Sequence, residues 1–179
     1  MRALFGVVVI TGASSGLGAS LAKAYAAPHA ALGLVGRDRQ RLQATASACE
    51  ARGATVSTAI IDVTDAARTA SWLQEFDGRR PVDLLIANAG TSAGPDPDCP
   101  SDGVDLVARQ VGVNLLGAIN TIEPLLSAFC SRRRGRIAVV ASIAAYRGSP
   151  TARAIAPARP GCGPMPRRYG RAWNPTASA

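Results

Sequence analysis

The run Val7-Val8-Val9-Ile10 passes directly into Thr11-Gly12-Ala13-Ser14-Ser15-Gly16-Leu17-Gly18, and a helix-like segment from Leu17 to Ala27 follows, stopped by Pro28. An apolar strand, a glycine turn and a helix start, in that order, constrain the fold more than any other feature of the chain. Glycines let the backbone turn tightly and come close to a ligand, and a helix opening at the turn offers unpaired N–H groups and a partial positive charge. That combination suits a pyrophosphate. The spacing Thr-Gly-x-x-x-Gly-x-Gly differs from the G-x-G-x-x-G of most dinucleotide folds. Gly12-Ala13-Ser14-Ser15-Gly16 also fits G-x-S-x-G, the nucleophile elbow of α/β-hydrolases. That chemistry needs a histidine base later in the chain, and the single histidine, His29, stands close behind the loop.

Strand and helix signals alternate along the chain, which implies βαβ units and a parallel sheet covered on both faces. Strands are expected at 4–10, 30–35, 54–61, 82–87 and 136–141, each a nearly continuous apolar run, as buried parallel strands require. Helices are expected at 17–27, from the Asp38 cap to about Arg52, at 65–76, and from about Gly103 to Cys130 with a bend at Pro124. Thr91 to Asp102, rich in Pro, Gly and Asp, reads as a loop. The fold class is therefore a doubly wound α/β parallel sheet. After Pro150 the pattern fails: Pro157, Pro160, Pro164, Pro166 and Pro175 leave no room for a helix. The expected division is one incomplete domain, 1–154, and an irregular tail, 155–179.

Composition narrows the function classes. A chain of 179 residues with 47% hydrophobic residues fits one globular domain. No uninterrupted apolar run approaches the ~18 residues of a membrane span, and no leader-like segment precedes the first strand, so a cytoplasmic location is expected. Cys49, Cys99, Cys130 and Cys162 are widely spaced, with no C-x-x-C pair, and read as reduced thiols with no metal site. The net charge of +8 is local: all twelve acidic residues lie at or before Glu123, while the stretch after Ser142 carries six arginines and no carboxylate. Nucleic acid is a weak reading, because the basic tail has only Tyr169 and Trp173 for stacking. Arg132-Arg133-Arg134-Gly135-Arg136 reads as a solvated helix-to-strand turn.

Further motifs stand in a fixed order: Asp62-Val63 closing the third strand, Asn88-Ala89-Gly90 after the fourth, Asn114 inside the long helix and Ser142 directly after the fifth strand. Together with the loop, these resemble the classical short-chain dehydrogenase/reductase family over roughly residues 4–154. The resemblance implies a Rossmann-type fold, here cut off after its fifth strand, and hydride transfer between a nicotinamide cofactor and a carbonyl or secondary alcohol. It assigns Gly12, Ser14, Ser15, Gly16, Leu17 and Gly18 to the cofactor, Asp62 and Val63 to its adenine, and Asn88, Ala89 and Gly90 to the strand end beside it. Ser142 would hold the substrate carbonyl and Asn114 a water of the proton relay. Cofactor choice depends on the end of the second strand, where an acid binds the ribose 2′-hydroxyl of NAD and an arginine the 2′-phosphate of NADP. Gly36-Arg37 favours NADP over NAD. The partner is a small carbonyl or alcohol, with neither nucleic acid nor membrane expected. Homo-oligomers are common in the family, but the oligomeric state does not transfer to this chain.

The family's tyrosine, thirteen residues after the serine, and its lysine, four further on, should fall at 155 and 159. Those positions hold Ile155 and Arg159, and Lys23 is the only lysine in the chain. A phenol of pKa ~10 needs a nearby cation to work as a base, and isoleucine has no proton to exchange. Loss of one nucleotide near the Ala154 codon accounts for this. Codons compatible with residues 154–179 give, in the alternative frame from position 155, Y-S-A-S-K-A-G-V-R-A-Y-A-E-A-L-R-A-R-L-E-P-D-G-I-R, with the tyrosine and lysine in register.

Overall fold

The structure is a computed structural model and describes residues 5–92 and 103–142. The loop expected at 91–102, apart from Thr91 and Ser92, and the tail at 155–179 lie outside the described residues. The elements alternate as the pattern requires: β1 (Val7–Thr11), α1 (Gly16–Tyr25), β2 (Ala31–Gly36), α2 (Arg39–Glu50), β3 (Thr55–Ile60), α3 (Ala66–Arg79), β4 (Leu84–Ala87), α4 (Val104–Val111), α5 (Gly117–Ser131) and β5 (Arg136–Val139). All strand pairs are parallel, in the order β3-β2-β1-β4-β5. The chain reverses its direction of winding between β1 and β4, which opens a crevice at the carboxyl ends of those strands.

Alternation along the strands divides the core in two. Val8, Ile10, Leu32, Leu34, Leu84 and Ile86 pack with Ala22 of α1 and Leu42, Ala46 and Cys49 of α2. Val9 and Leu85 face the other way, onto Leu73 and Phe76 of α3 and Leu125 and Phe129 of α5. Burying both faces is why β1, β2 and β4 read as unbroken apolar runs. β5 departs from this pattern. All four of its residues are exposed, and it forms one edge of the sheet among the described residues.

Most element ends shift by a few residues, and two of the differences have a visible physical reason. Thr11 belongs to β1, in register with Val35, because pairing with β2 continues past the apolar run. The long helix is interrupted at Gly112–Leu116 by a π-helical turn and runs on through Pro124, where a bend was expected. Taken whole, Val104–Ser131 is long and apolar enough to cross a membrane by length and composition. Arg109 and Glu123 break its apolar runs, so run length alone misses it. Its Val113, Ala118, Leu125 and Phe129 are buried in the fold.

The arginine cluster is a helix-to-strand turn whose Arg133, Arg134 and Arg136 are exposed, as expected, but Arg132 is drawn into the fold. Arg132 makes a two-pronged pair with Asp77, both contacts at 2.7 Å, and donates to the Val82 carbonyl at 2.8 Å. Asp77 Oδ1 also accepts the Val82 N–H at 2.9 Å. Arg134 pairs with Asp83 at 2.7 Å, and Asp83 in turn accepts the N–H groups of Gly6 and Val7, each at 3.0 Å. Arg136 lies over the Phe5 ring. These groups fasten the amino-terminal ends of β1, β4 and β5, and their partners lie far upstream in sequence, at Asp77, Asp83 and Phe5.

Candidate functional site

The loop between β1 and α1 meets the end of β4 through Thr11. Its buried hydroxyl accepts the Asn88 N–H at 3.1 Å and the Ala89 N–H at 3.2 Å. Asn88 returns the contact, its amide donating to the Thr11 carbonyl at 2.9 Å and to the Gly12 carbonyl at 3.4 Å. Two glycines make this approach possible. Gly12 has φ +68°, and a Cβ there would stand 2.8 Å from Ala89 Cα; a Cβ on Gly18 would stand 2.2 Å from the Gly12 carbonyl oxygen. The knit of the two loops is therefore a backbone-to-backbone contact that no side chain fits between.

Above this floor the space is open: nothing lies within 4 Å of a Cβ built on Gly16. The neighbouring helix end is also uncommitted. α2 and α3 are capped by Asp38 and Asp65, whose carboxylates accept the N–H groups of Arg41 and Arg68. Ser15, at the start of α1, makes no side-chain cap. A ten-residue helix thus presents first-turn N–H groups over bare glycine backbone, an arrangement suited to a phosphate.

The far wall is charged. Arg37, directly after β2, reaches Asp62 after β3 at 3.2 Å. Asp62 Oδ1 accepts both the N–H and the hydroxyl of Thr64, at 3.0 and 2.8 Å. Burial opposes ionisation of Asp62 and is the largest single influence, but the Thr64 donors and the Arg37 guanidinium together outweigh it and hold the carboxyl below its ordinary value.

These elements enclose a cavity of about 570 Å³ at the carboxyl ends of the strands, within the size range of small-molecule and cofactor sites. Gly12, Ser14, Ser15, Gly16, Leu17 and Gly18 line one side, Arg37, Asp62 and Val63 another, and Asn88, Ala89 and Gly90 the third. Every residue that the sequence assigned to a cofactor thus faces one space. Asn114 and Ser142 are not among its lining residues. The Asn114 side chain instead grips the chain after β4: its Oδ1 accepts the Thr91 N–H at 2.8 Å and its amide donates to the Thr91 carbonyl at 2.9 Å. Asn114 lies in the π turn, a feature frequent at functional sites.

Sequence reasoning missed Asp38, Arg41 and Val113, which also line the cavity. Arg41 had a signal, its four-residue spacing from Arg37 across a helix cap. Val113 precedes Asn114. The role of Thr11 had no separate signal, since the residue reads as the first letter of the glycine motif. The hydrolase reading of Ser14 fails on geometry. β1 and β2 are parallel, so His29, before β2, lies at the amino-terminal edge of the sheet, while Ser14 lies beyond the carboxyl end of β1. Strand length alone, about 3.3 Å per residue, separates them by more than about 13 Å. Among the described residues, no three His, Cys, Asp or Glu side chains gather to hold a metal.

Comparison with known proteins gives one consistent answer. Residues 6–158 match the family model described as short chain dehydrogenase. An uncharacterized oxidoreductase of Myxococcus xanthus is 33% identical over 141 residues, covering 78% of this chain and 55% of its own length. Among solved structures, levodione reductase superposes with a TM-score of 0.80 at 30% identity, over 87% of this chain and 61% of that one. An alcohol dehydrogenase from the archaeon Thermococcus sibiricus, complexed with 5-hydroxy-NADP, gives 0.80 at 27% identity, over 93% and 70%. The chain spans about half the length of the curated relatives it matches. Glycine loop, strand order and sequence matches agree: the chain belongs to the short-chain dehydrogenase family of oxidoreductases.

Proposed function

We propose that the chain forms the nucleotide-binding part of an NADP-dependent oxidoreductase that interconverts a small carbonyl compound and its secondary alcohol. The observation that carries this reading is the pairing of an uncapped α1 amino terminus over open glycine backbone with an arginine at the end of β2. The first suits a pyrophosphate and the second a 2′-phosphate. Asp38, the nearest acid, supports NADP over NAD, because its carboxylate already caps α2 and pairs with Arg41. When bound, the nicotinamide supplies or accepts the hydride. Asp62 and Val63 hold the adenine, Asn88 to Gly90 keep the strand end against the cofactor, Ser142 orients the substrate oxygen and Asn114 serves the proton relay.

Proton transfer is the part for which this sequence holds no tyrosine and lysine in the family's register. Ile155 and Arg159 occupy the positions where the family resemblance places the tyrosine and lysine, and both lie outside the described residues. A second reading follows from them: the chain as given binds nucleotide without turnover. Fluorescence titration with NADPH and NADH, followed by NADPH oxidation assays with a panel of ketones, separates the two. Tight NADPH binding with no oxidation supports the second reading, turnover supports the first, and failure to bind either nucleotide overturns both. Sequencing the gene tests the frame, since codons unable to encode the alternative string exclude a lost nucleotide.

A further inference from the structure

Arg37 is not the only cation on its side of the cavity. Arg41, in the first turn of α2, lines the same space. Each guanidinium rests on a carboxylate: Arg37 Nη1 lies 3.2 Å from Asp62 Oδ2, and Arg41 Nε lies 3.3 Å from Asp38 Oδ2. Both arginine side chains are more than half exposed, at 52% and 71%. Exposed ion pairs of this kind contribute little and are readily exchanged. The Asp38 carboxylate is also fixed independently of the Arg41 side chain, because its Oδ1 accepts the Arg41 backbone N–H at 3.0 Å. Arg41 is therefore free to swing its guanidinium to another anion without uncapping the helix.

A ribose 2′-hydroxyl has no use for two guanidiniums, whereas a phosphate dianion does. It offers several acceptor oxygens, and arginine binds phosphate by paired, charge-assisted hydrogen bonds. The amino terminus of α2, a twelve-residue helix, adds its partial positive charge at the same place. We propose that Arg41 is the second ligand of the cofactor 2′-phosphate, acting with Arg37 and exchanging Asp38 for the phosphate when NADP enters. This extends the NADP reading above and rests on it.

The full chain is titrated by calorimetry with adenosine 2′,5′-bisphosphate and, separately, with 5′-AMP. The wild type is expected to bind the bisphosphate more tightly. Arg41→Ala should weaken bisphosphate binding about tenfold, the loss of one charge-assisted contact, and change 5′-AMP binding by less than about twofold. Arg41→Lys, which keeps the charge but loses the fork, should fall between. Circular dichroism of each variant checks that α2 persists. A wild type that does not discriminate between the two ligands overturns the NADP reading and this proposal with it. A wild type that discriminates, with Arg41→Ala either neutral or weakening both ligands equally, overturns the role of Arg41 alone.

Discussion

Thr11→Val removes one hydroxyl from the knot that joins the β1 and β4 loops and changes almost no volume. The Thr11 side chain is 1% exposed, and its oxygen accepts two backbone N–H groups, from Asn88 at 3.1 Å and Ala89 at 3.2 Å. Valine leaves both donors without that partner. A buried donor stripped of its acceptor costs about 1–3 kcal/mol. The Asn88 and Ala89 contacts are only part-buried, so the low end of that range applies to each, and the total is about 2 kcal/mol. For a domain of this size that corresponds to a melting shift of roughly 4–8 °C. The same change loosens the position of Asn88 to Gly90 and should reduce NADPH affinity about fivefold. Thr11→Ser is the control, keeping the hydroxyl and losing one methyl, a cost of about 1 kcal/mol with no change in affinity. Urea unfolding with unchanged slope gives the stability difference, and NADPH fluorescence gives the affinity. If Thr11→Val matches Thr11→Ser in both, the hydroxyl does not organise the site and the reasoning is refuted.

Other substitutions test other parts of the structure. Gly18→Ala forces a methyl to within 2.2 Å of the Gly12 carbonyl oxygen, so NADPH binding should fall more than tenfold by titration even where the protein remains folded. Asp77→Ala strands the Arg132 charge, which is 23% exposed, and should cost about 3 kcal/mol in urea unfolding; Asp77→Leu combined with Arg132→Met should cost clearly less. The depressed Asp62 carboxyl stabilises the fold at pH values above the ordinary carboxylate range, and that contribution disappears as pH falls through its lowered folded value. The stability gap between wild type and Asp62→Asn should accordingly be constant from pH 7 to about 5, begin to narrow near pH 4 and close only below the depressed folded value; a gap that closes already above about pH 5 contradicts the assignment. Ile137 is 37% exposed on β5, a sheet edge among the described residues, and Ile137→Lys should raise the soluble fraction in light scattering without altering the far-ultraviolet spectrum.

What the sequence shows and hides follows from the range of each interaction. The strand, glycine loop and helix at residues 7–25 are local, and so are Asn88-Ala89-Gly90 and the arginine ending β2, so their places in the fold are legible from adjacent residues. Arg132 is the opposite case. Within its own segment it is one of four arginines around a turn and looks solvated, while its partner Asp77 is 55 residues away. Arg41 is intermediate: its four-residue spacing from Arg37 is visible in the sequence, but only the packing of β2 and α2 brings it to the cavity. The π turn at Gly112–Leu116 contains Asn114, whose contact with Thr91 spans 23 residues and is one that a helical periodicity cannot express.

Four aspartates divide between the two edges of the sheet, and the division separates stability from binding. At the amino-terminal edge, Asp77 and Asp83 are nearly buried, at 10% and 12% exposure, and each carboxylate joins an arginine to backbone N–H groups that open a strand. At the carboxyl edge, Asp38 and Asp62 are more open and keep arginines loosely at the mouth of the cavity. Buried, multiply bonded pairs are costly to break, and exposed single contacts exchange easily. The first edge therefore suits fastening and the second suits a ligand that must come and go. Nucleotide affinity should follow the charges at 37, 38, 41 and 62 and ignore those at 77, 83, 132 and 134, even though the latter have the shorter and stronger contacts. A parallel sheet makes this separation possible, because all its strand starts lie on one side and all its strand ends on the other.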